Sequence, residues 1–152
     1  DLDRYDQAIL RELVADARIS MTALSDRIGL SKTPCTLRVK RMEKLGFITG
    51  YTALIDPDKM GQSHIAFVQV SLSDTRDPAL EAFNAAVQSI AEIEQCHMIA
   101  GSFDYLLKVR SRSMVEYRRI LGENVSTLPH VSHTSTFVAM ESVKEAPRGR
   151  AD

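Results

Sequence analysis

The sequence predicts an α+β protein in two parts: three helices, then a β-α-β-β-α-β unit of the ferredoxin-like kind. Apolar residues recur at helical spacing through the first 45 positions. The chain then breaks at Asp56-Pro57-Asp58 and Gly61, and beyond the break alternating runs interleave with helical ones. The 152 residues leave room for one ordinary domain or two small ones. The expected boundaries are 1–50 for a helical domain, 51–63 for a linker strand and hinge, 64–145 for the second domain and 146–152 for a polar tail.

Asp3, with Asp6 three positions on, caps a first helix carrying Ile9, Leu10, Leu13 and Val14. Ser20 caps a short second helix over 21–28 with Leu24 and Ile28 on one face, and Gly29 supplies the left-handed turn after it. Ser31 caps a third helix reaching Leu45. Pro34 sits in its first turn, where the missing N–H has no intrahelical partner anyway. Leu37, Met42 and Leu45 are expected to face inward, with Val39 between faces and Cys35 a partly buried filler; Gly46 ends the helix. Residues 47–55 read as a short extended segment broken at Gly50.

In the second part, 65–72 is a strand with Ala66, Val68, Val70 and Leu72 on one face. Asp77-Pro78, in cap-then-proline order, opens a helix with the stripe Leu80, Phe83, Val87 and Ile90. Strands follow at 94–100 and 103–110 around a turn at Gly101-Ser102. Ser113 and Glu116 form a capping box for a helix burying Tyr117, Ile120 and Leu121. Pro129 stops the turn after it, and 131–143 is a last long strand. That order is the split-βαβ arrangement. Both helices then cover one face of an antiparallel sheet and leave the other open. Thr136, Val138 and Met140 alternate with Phe137 and Ala139, so both faces of the last strand suit burial and a second copy is expected on the open one.

At 44% hydrophobic and 26% charged, the chain is too apolar to be disordered. No apolar run approaches the ~20 residues that cross a bilayer, and no secretory signal begins it. No membrane partner is expected. Two cysteines, Cys35 and Cys96, cannot build a disulfide scaffold and point to the cytoplasm. The chain opens at Asp1 rather than Met, so a preceding stretch of natural sequence is expected.

The net charge of −1 hides an asymmetry: residues 32–44 carry five basic residues against one acidic. On charge alone this is a solvated helix face. Spacing sharpens it, because Ile28-Gly29-Leu30-Ser31 joins two short helices tightly enough for the second to project, as a helix-turn-helix requires. Ser31, Lys32 and Thr33 lie at its N-terminus, where unbonded N–H groups attract phosphate. Thr36, Lys40 and Glu43 form a polar stripe, flanked by Arg38 and Arg41 within reach of phosphate or guanine edges. Double-stranded DNA is the expected partner. The alternatives are a three-helix bundle that supports the second domain, or an interaction module whose helical half docks protein.

The turn over 100–105 suits a zwitterion. Gly101 and Ser102 offer backbone N–H groups to a carboxylate, Asp104 can accept from an ammonium, and Met98, Met114 and Val138 can wall an apolar side chain. The plainer reading prevails on sequence alone: Gly101 and Asp104 are ordinary turn formers, and the three apolar residues are core. His64, His97, His130 and His133 lack the Cys/His companions of a zinc site. With no phosphate loop, dinucleotide fingerprint or nucleophile elbow, neither a cofactor nor an enzyme is expected.

Several short runs belong together: Asp3-x-x-Asp6 with Ile9-Leu10, Ala17-Arg18-Ile19-Ser20, Ile28-Gly29-Leu30-Ser31, Thr33-Pro34-Cys35, and the stretches 41–48 and 50–54. With Phe83-Asn84, Cys96-His97, Gly101-Ser102-Phe103-Asp104-Tyr105 and Tyr117-Arg118, they closely resemble the Lrp/AsnC family over nearly the whole chain. The resemblance implies a feast/famine transcription regulator, a winged helix-turn-helix with short strands joined to an effector-sensing ferredoxin-like domain. It implies homodimers assembling into octamers, with an amino acid held between dimers near the Gly-x-x-Asp turn. The recognition helix falls on 31–45. The effector-response positions fall on Met98, Gly101, Asp104, Met114, Phe137, Val138 and Ala139, with Ser102, Tyr105 and Thr136 beside them. Ser102 stands where the leucine-responsive branch carries an acidic residue, which leaves Asp104 as the turn's only carboxylate. Leucine is the first expectation for the effector, with proline or another small amino acid open.

Overall fold

The structure is a computed structural model that describes residues 1–145. The polar tail expected at 146–152 lies outside the described residues. Residues 1–55 and 56–144 form two compact units, divided inside the stretch expected as a linker. No described helix is long and apolar enough to cross a membrane.

The first unit holds α1 (Arg4–Ala15), α2 (Met21–Ile28) and α3 (Lys32–Lys44). The capping box of α1 forms reciprocally: the Asp3 carboxylate accepts the Asp6 N–H at 2.9 Å and the Asp6 carboxylate accepts the Asp3 N–H at 3.3 Å. Ser20 Oγ accepts from the Ala23 N–H at 3.1 Å. Gly29 takes φ 77, and its N–H closes α2 on the Ser25 carbonyl. Ser31 is the cap residue of α3, but its side chain makes no capping bond.

Ile9, Leu13, Leu24, Cys35, Val39 and Met42 make the core. This corrects the inward face expected of α3. Leu37 and Leu45 are exposed, whereas Cys35 and Val39 are buried. One helix side can meet α1 and α2, and the i, i+4, i+7 set of Cys35, Val39 and Met42 occupies it. The extended segment expected over 47–55 finds no ladder partner among the described residues, and without one an isolated strand cannot satisfy its backbone.

The second unit runs β1 (His64–Leu72), α4 (Asp77–Val87), β2 (Ile93–Met98), β3 (Tyr105–Ser111), α5 (Met114–Ile120), a π turn (Leu121–Val125) and β4 (Val131–Val138). The sheet order is β2-β3-β1-β4, with every neighbouring pair antiparallel. Ala66, Val68, Val70 and Leu72 of β1 join Tyr105, Leu107 and Val109 of β3 on the helix-covered face. Phe83 and Val87 from α4, with Tyr117 and Ile120 from α5, close that core.

Several element ends differ from expectation. Arg76, not Asp77, is the cap residue of α4, which puts Pro78 second in its first turn, where no N–H is missed. Ala79 joins the buried stripe, and Ile90 lies past the helix. Glu116 accepts from the Arg112 N–H at 3.1 Å instead of completing the box on Ser113. The π turn had no forecast. β4 stops at Val138 rather than 143, because its partner β1 begins at His64 and the Ala139 N–H to the Ile65 carbonyl is the last rung available. Met140 and Val143 are fully exposed beyond it.

Candidate nucleic-acid interface and effector turn

The buried side of α3 settles what its other side presents. Opposite Cys35, Val39 and Met42 lie Thr33, Leu37, Lys40 and Lys44, again at helical spacing and all exposed. Lys32 is exposed beside them, at the end where α3 has unbonded N–H groups. Thr36 is half-buried, and its hydroxyl donates to the Lys32 carbonyl at 2.9 Å. Glu43 accepts from the Tyr51 hydroxyl at 3.0 Å. Burial, then that carboxylate, raises the Tyr51 hydroxyl above its ordinary range.

The two arginines of the expected interface turn another way. Asp6 is 2% exposed, and Arg38 Nη1 donates to it at 3.0 Å and to Asp3 at 2.6 Å. The Arg38 guanidinium also sits 5.3 Å over the Tyr5 ring. Arg41 Nη1 reaches Asp6 at 3.4 Å while its side chain stays about half exposed. The backbone N–H of Asp6, then Arg38, hold the Asp3 carboxyl below its ordinary value. The Asp3 and Asp6 carboxylates raise Arg38 in turn. The capping carboxylates of α1 therefore fasten α3, an arrangement the spacing of basic residues did not foreshadow. Leu37 and Lys44 join the outward face instead. Both follow from helical phase once the packing of α1 and α2 has buried Cys35.

In the second unit, the Ile99 N–H donates to the Asp104 carbonyl at 2.8 Å and closes the β2–β3 hairpin. Gly101 and Ser102 are exposed at its tip. Gly101 has no left-handed backbone, and a Cβ there would meet only Ile99 at an ordinary 3.5 Å. Asp104 is half-buried and partly engaged: its Oδ2 accepts the Leu72 N–H at 2.7 Å, an amide that β3 stops too early to satisfy. Tyr105 is 1% exposed, lies 4.2 Å from the Phe83 ring and donates to Asn84 Oδ1 at 2.6 Å. It is a core residue. Met98 and Tyr105 edge a cleft of ≈ 310 Å³ with Asn84, Val87, Gln88 and Cys96.

The remaining expected effector residues lie elsewhere. Tyr105 pairs with Val70 at one end of β3, and Ser111 with His64 at the other. Met114 starts α5 just past that far end, where Val138 pairs with Ala66 and Ala139 follows. Roughly 20 Å of strand separates them from Gly101 and Asp104. Thr136 faces the helices and shares a hydrogen bond with the Tyr117 hydroxyl. Phe137 faces the open side opposite Phe67, 53% exposed. One chain thus gathers Met98, Gly101, Ser102 and Asp104 at one sheet end and Met114, Val138 and Ala139 at the other. Both thiols are desolvated: burial raises Cys35 and pushes Cys96 up to about 11.

Known proteins match both units. A winged helix-turn-helix DNA-binding family covers residues 2–49, and the Lrp/AsnC ligand binding domain covers residues 65–148. The chain is 59% identical over 145 residues to the proline dehydrogenase transcriptional activator of Rhizobium radiobacter, across 95% of this chain and 93% of that one. It is 50% identical over 148 residues to the leucine-responsive regulatory protein of Escherichia coli (strain K12), across 97% and 90%. A transcriptional regulator of Neisseria meningitidis, solved in complex with L-Met, superposes with a TM-score of 0.87 at 29% identity, across 95% and 94%. On a helix-turn-helix with an outward cationic face, a ferredoxin-like sheet and these matches, the chain belongs to the Lrp/AsnC family of DNA-binding transcription regulators.

Proposed function

We propose that this amino-acid-responsive transcription regulator reads duplex DNA with the outward side of α3. Lys32, Lys40 and Lys44 meet phosphates, and Ser31 and Thr33 sit at the helix start beside them. Arg41 is exposed enough to swing from Asp6 to a phosphate. Arg38 stays with Asp3 and Asp6 and positions the helix. The observation that carries this reading is the side opposite the α3 core, which is exposed and rich in lysine. A duplex carries one charge per ~1.7 Å, so affinity should fall steeply with salt. Titrating nonspecific duplex against salt tests it. A log–log slope near zero, or no duplex binding, overturns it in favour of a helix that docks protein.

The effector is a small amino acid bound between copies, near Gly101, Ser102 and Asp104. Two things support a shared site: the expected residues divide between the two sheet ends of one chain, and Phe67 and Phe137 leave the open sheet face unpartnered. Dimers joined there, and assembling further to an octamer, would bring turn and strand from different copies together. Two relatives are named as activators of proline dehydrogenase, an enzyme that acts on proline, which favours proline over leucine as the signal. A thermal-shift screen of the twenty amino acids tests this, since a ligand that prefers the folded protein raises its Tm. No catalysis is assigned. A DNA partner and two unpaired thiols fit the cytoplasm.

A further inference from the structure

We propose that Leu37 is a specificity-determining residue that reads the C5-methyl group of a thymine in the major groove; this rests on the DNA reading above. Leu37 is 61% exposed at the centre of the outward side of α3, between Thr33 and Lys40. A leucine held in water gains nothing from the fold, and the core stripe behind it is already complete with Cys35, Val39 and Met42.

The neighbouring groups narrow what can cover it. Lys40 and Lys44 share its side of the helix, which suits a polyanion better than an apolar protein groove. In the major groove, thymine alone among the four bases presents a methyl group. Three of the groups on this helix that could read bases already have partners within the protein. Arg38 is bonded to Asp3 and Asp6, Arg41 reaches Asp6, and the single donor of Thr36 goes to the Lys32 carbonyl. Of Thr33, Leu37, Lys40 and Lys44 on the outward side, Leu37 alone is wholly apolar and so suited to a methyl group, while the lysines supply sequence-independent affinity.

The test begins by selecting the preferred duplex of the full-length protein from a random pool. Affinity for that duplex is then measured at fixed salt with each thymine in turn replaced by deoxyuridine, which removes only the methyl group. In the wild type, one thymine, or one symmetric pair, should weaken binding about fourfold on replacement, the value of one buried methyl group. In Leu37→Ala that replacement should have no effect, while nonspecific affinity and salt slope match the wild type. Leu37→Met should restore part of the preference. Duplex binding with no deoxyuridine substitution that separates wild type from Leu37→Ala overturns this inference and leaves the DNA reading standing. Absence of any duplex binding overturns both.

Discussion

Asp6 ties together three jobs at the residue scale: it caps α1, accepts from Arg38 and meets Arg41 while almost wholly buried. Asp6→Ala takes the acceptor from the Asp3 N–H and one acceptor each from Arg38 and Arg41, Arg38 keeping Asp3, so urea denaturation should show a loss of roughly 1–2 kcal/mol. Lys40→Ala, by contrast, should leave the urea midpoint unchanged, weaken duplex binding across sequences and lower the salt slope by about 1. Acid should act on the same junction. The Asp3 carboxyl is held below its ordinary value of 3.8, chiefly by the Asp6 N–H, so its contribution is complete above that value and is lost as pH falls through the lowered one. Asp74, bonded to Arg76, is depressed in the same direction. Thermal midpoints should be level from neutrality down to about pH 4 and fall below it; Asp3 is exposed and Asp74 partly so, and added salt should shrink the fall. Asp104 needs two variants. Asp104→Ala strands the Leu72 N–H and should lower stability by roughly 1 kcal/mol, whereas Asp104→Asn keeps an acceptor for that amide. If the carboxylate holds an ammonium, both variants should blunt the amino-acid response measured by thermal shift while duplex affinity is retained. An unchanged response in Asp104→Asn removes Asp104 from the effector site.

At the scale of elements, the turn between α2 and α3 decides where the reading helix points. Gly29 sits at φ 77, so Gly29→Ala should cost roughly 1 kcal/mol in Tm-derived stability, with a larger loss in duplex affinity if the turn relaxes. Three helix caps were legible in the sequence because their chemistry is local: Asp3, Ser20 and Ser113 each bond an amide three residues on, whereas Ser31 makes no such bond and Arg76 stands where Asp77 was expected. The rotational phase of α3 was not. Leu37, Met42 and Leu45 look like an apolar set, and only the position of α1 and α2 selects Cys35, Val39 and Met42 instead. The length of β4 was likewise out of reach, since Thr136–Val138 and the residues after it have strand character throughout. Its end is set by where β1 begins.

For the whole molecule, the open sheet face bears on assembly. Phe67 and Phe137 face each other across β1 and β4 with Phe137 half exposed, so Phe137→Glu should shift sedimentation toward smaller species and weaken the amino-acid response with it. An unchanged sedimentation profile would move the interface between copies away from this face. Element order, the basic helix, the turn before it and the family resemblance could be read from residue order, because periodicity, capping and charge act over a few residues. Tertiary structure alone decided that Arg38 and Arg41 turn to Asp3 and Asp6, that Tyr105 is core, and that Leu37 faces outward. It also decided that the expected effector residues divide between two ends of one sheet. Each of those outcomes depends on which distant segment occupies the neighbouring space, and a one-dimensional pattern carries no record of that.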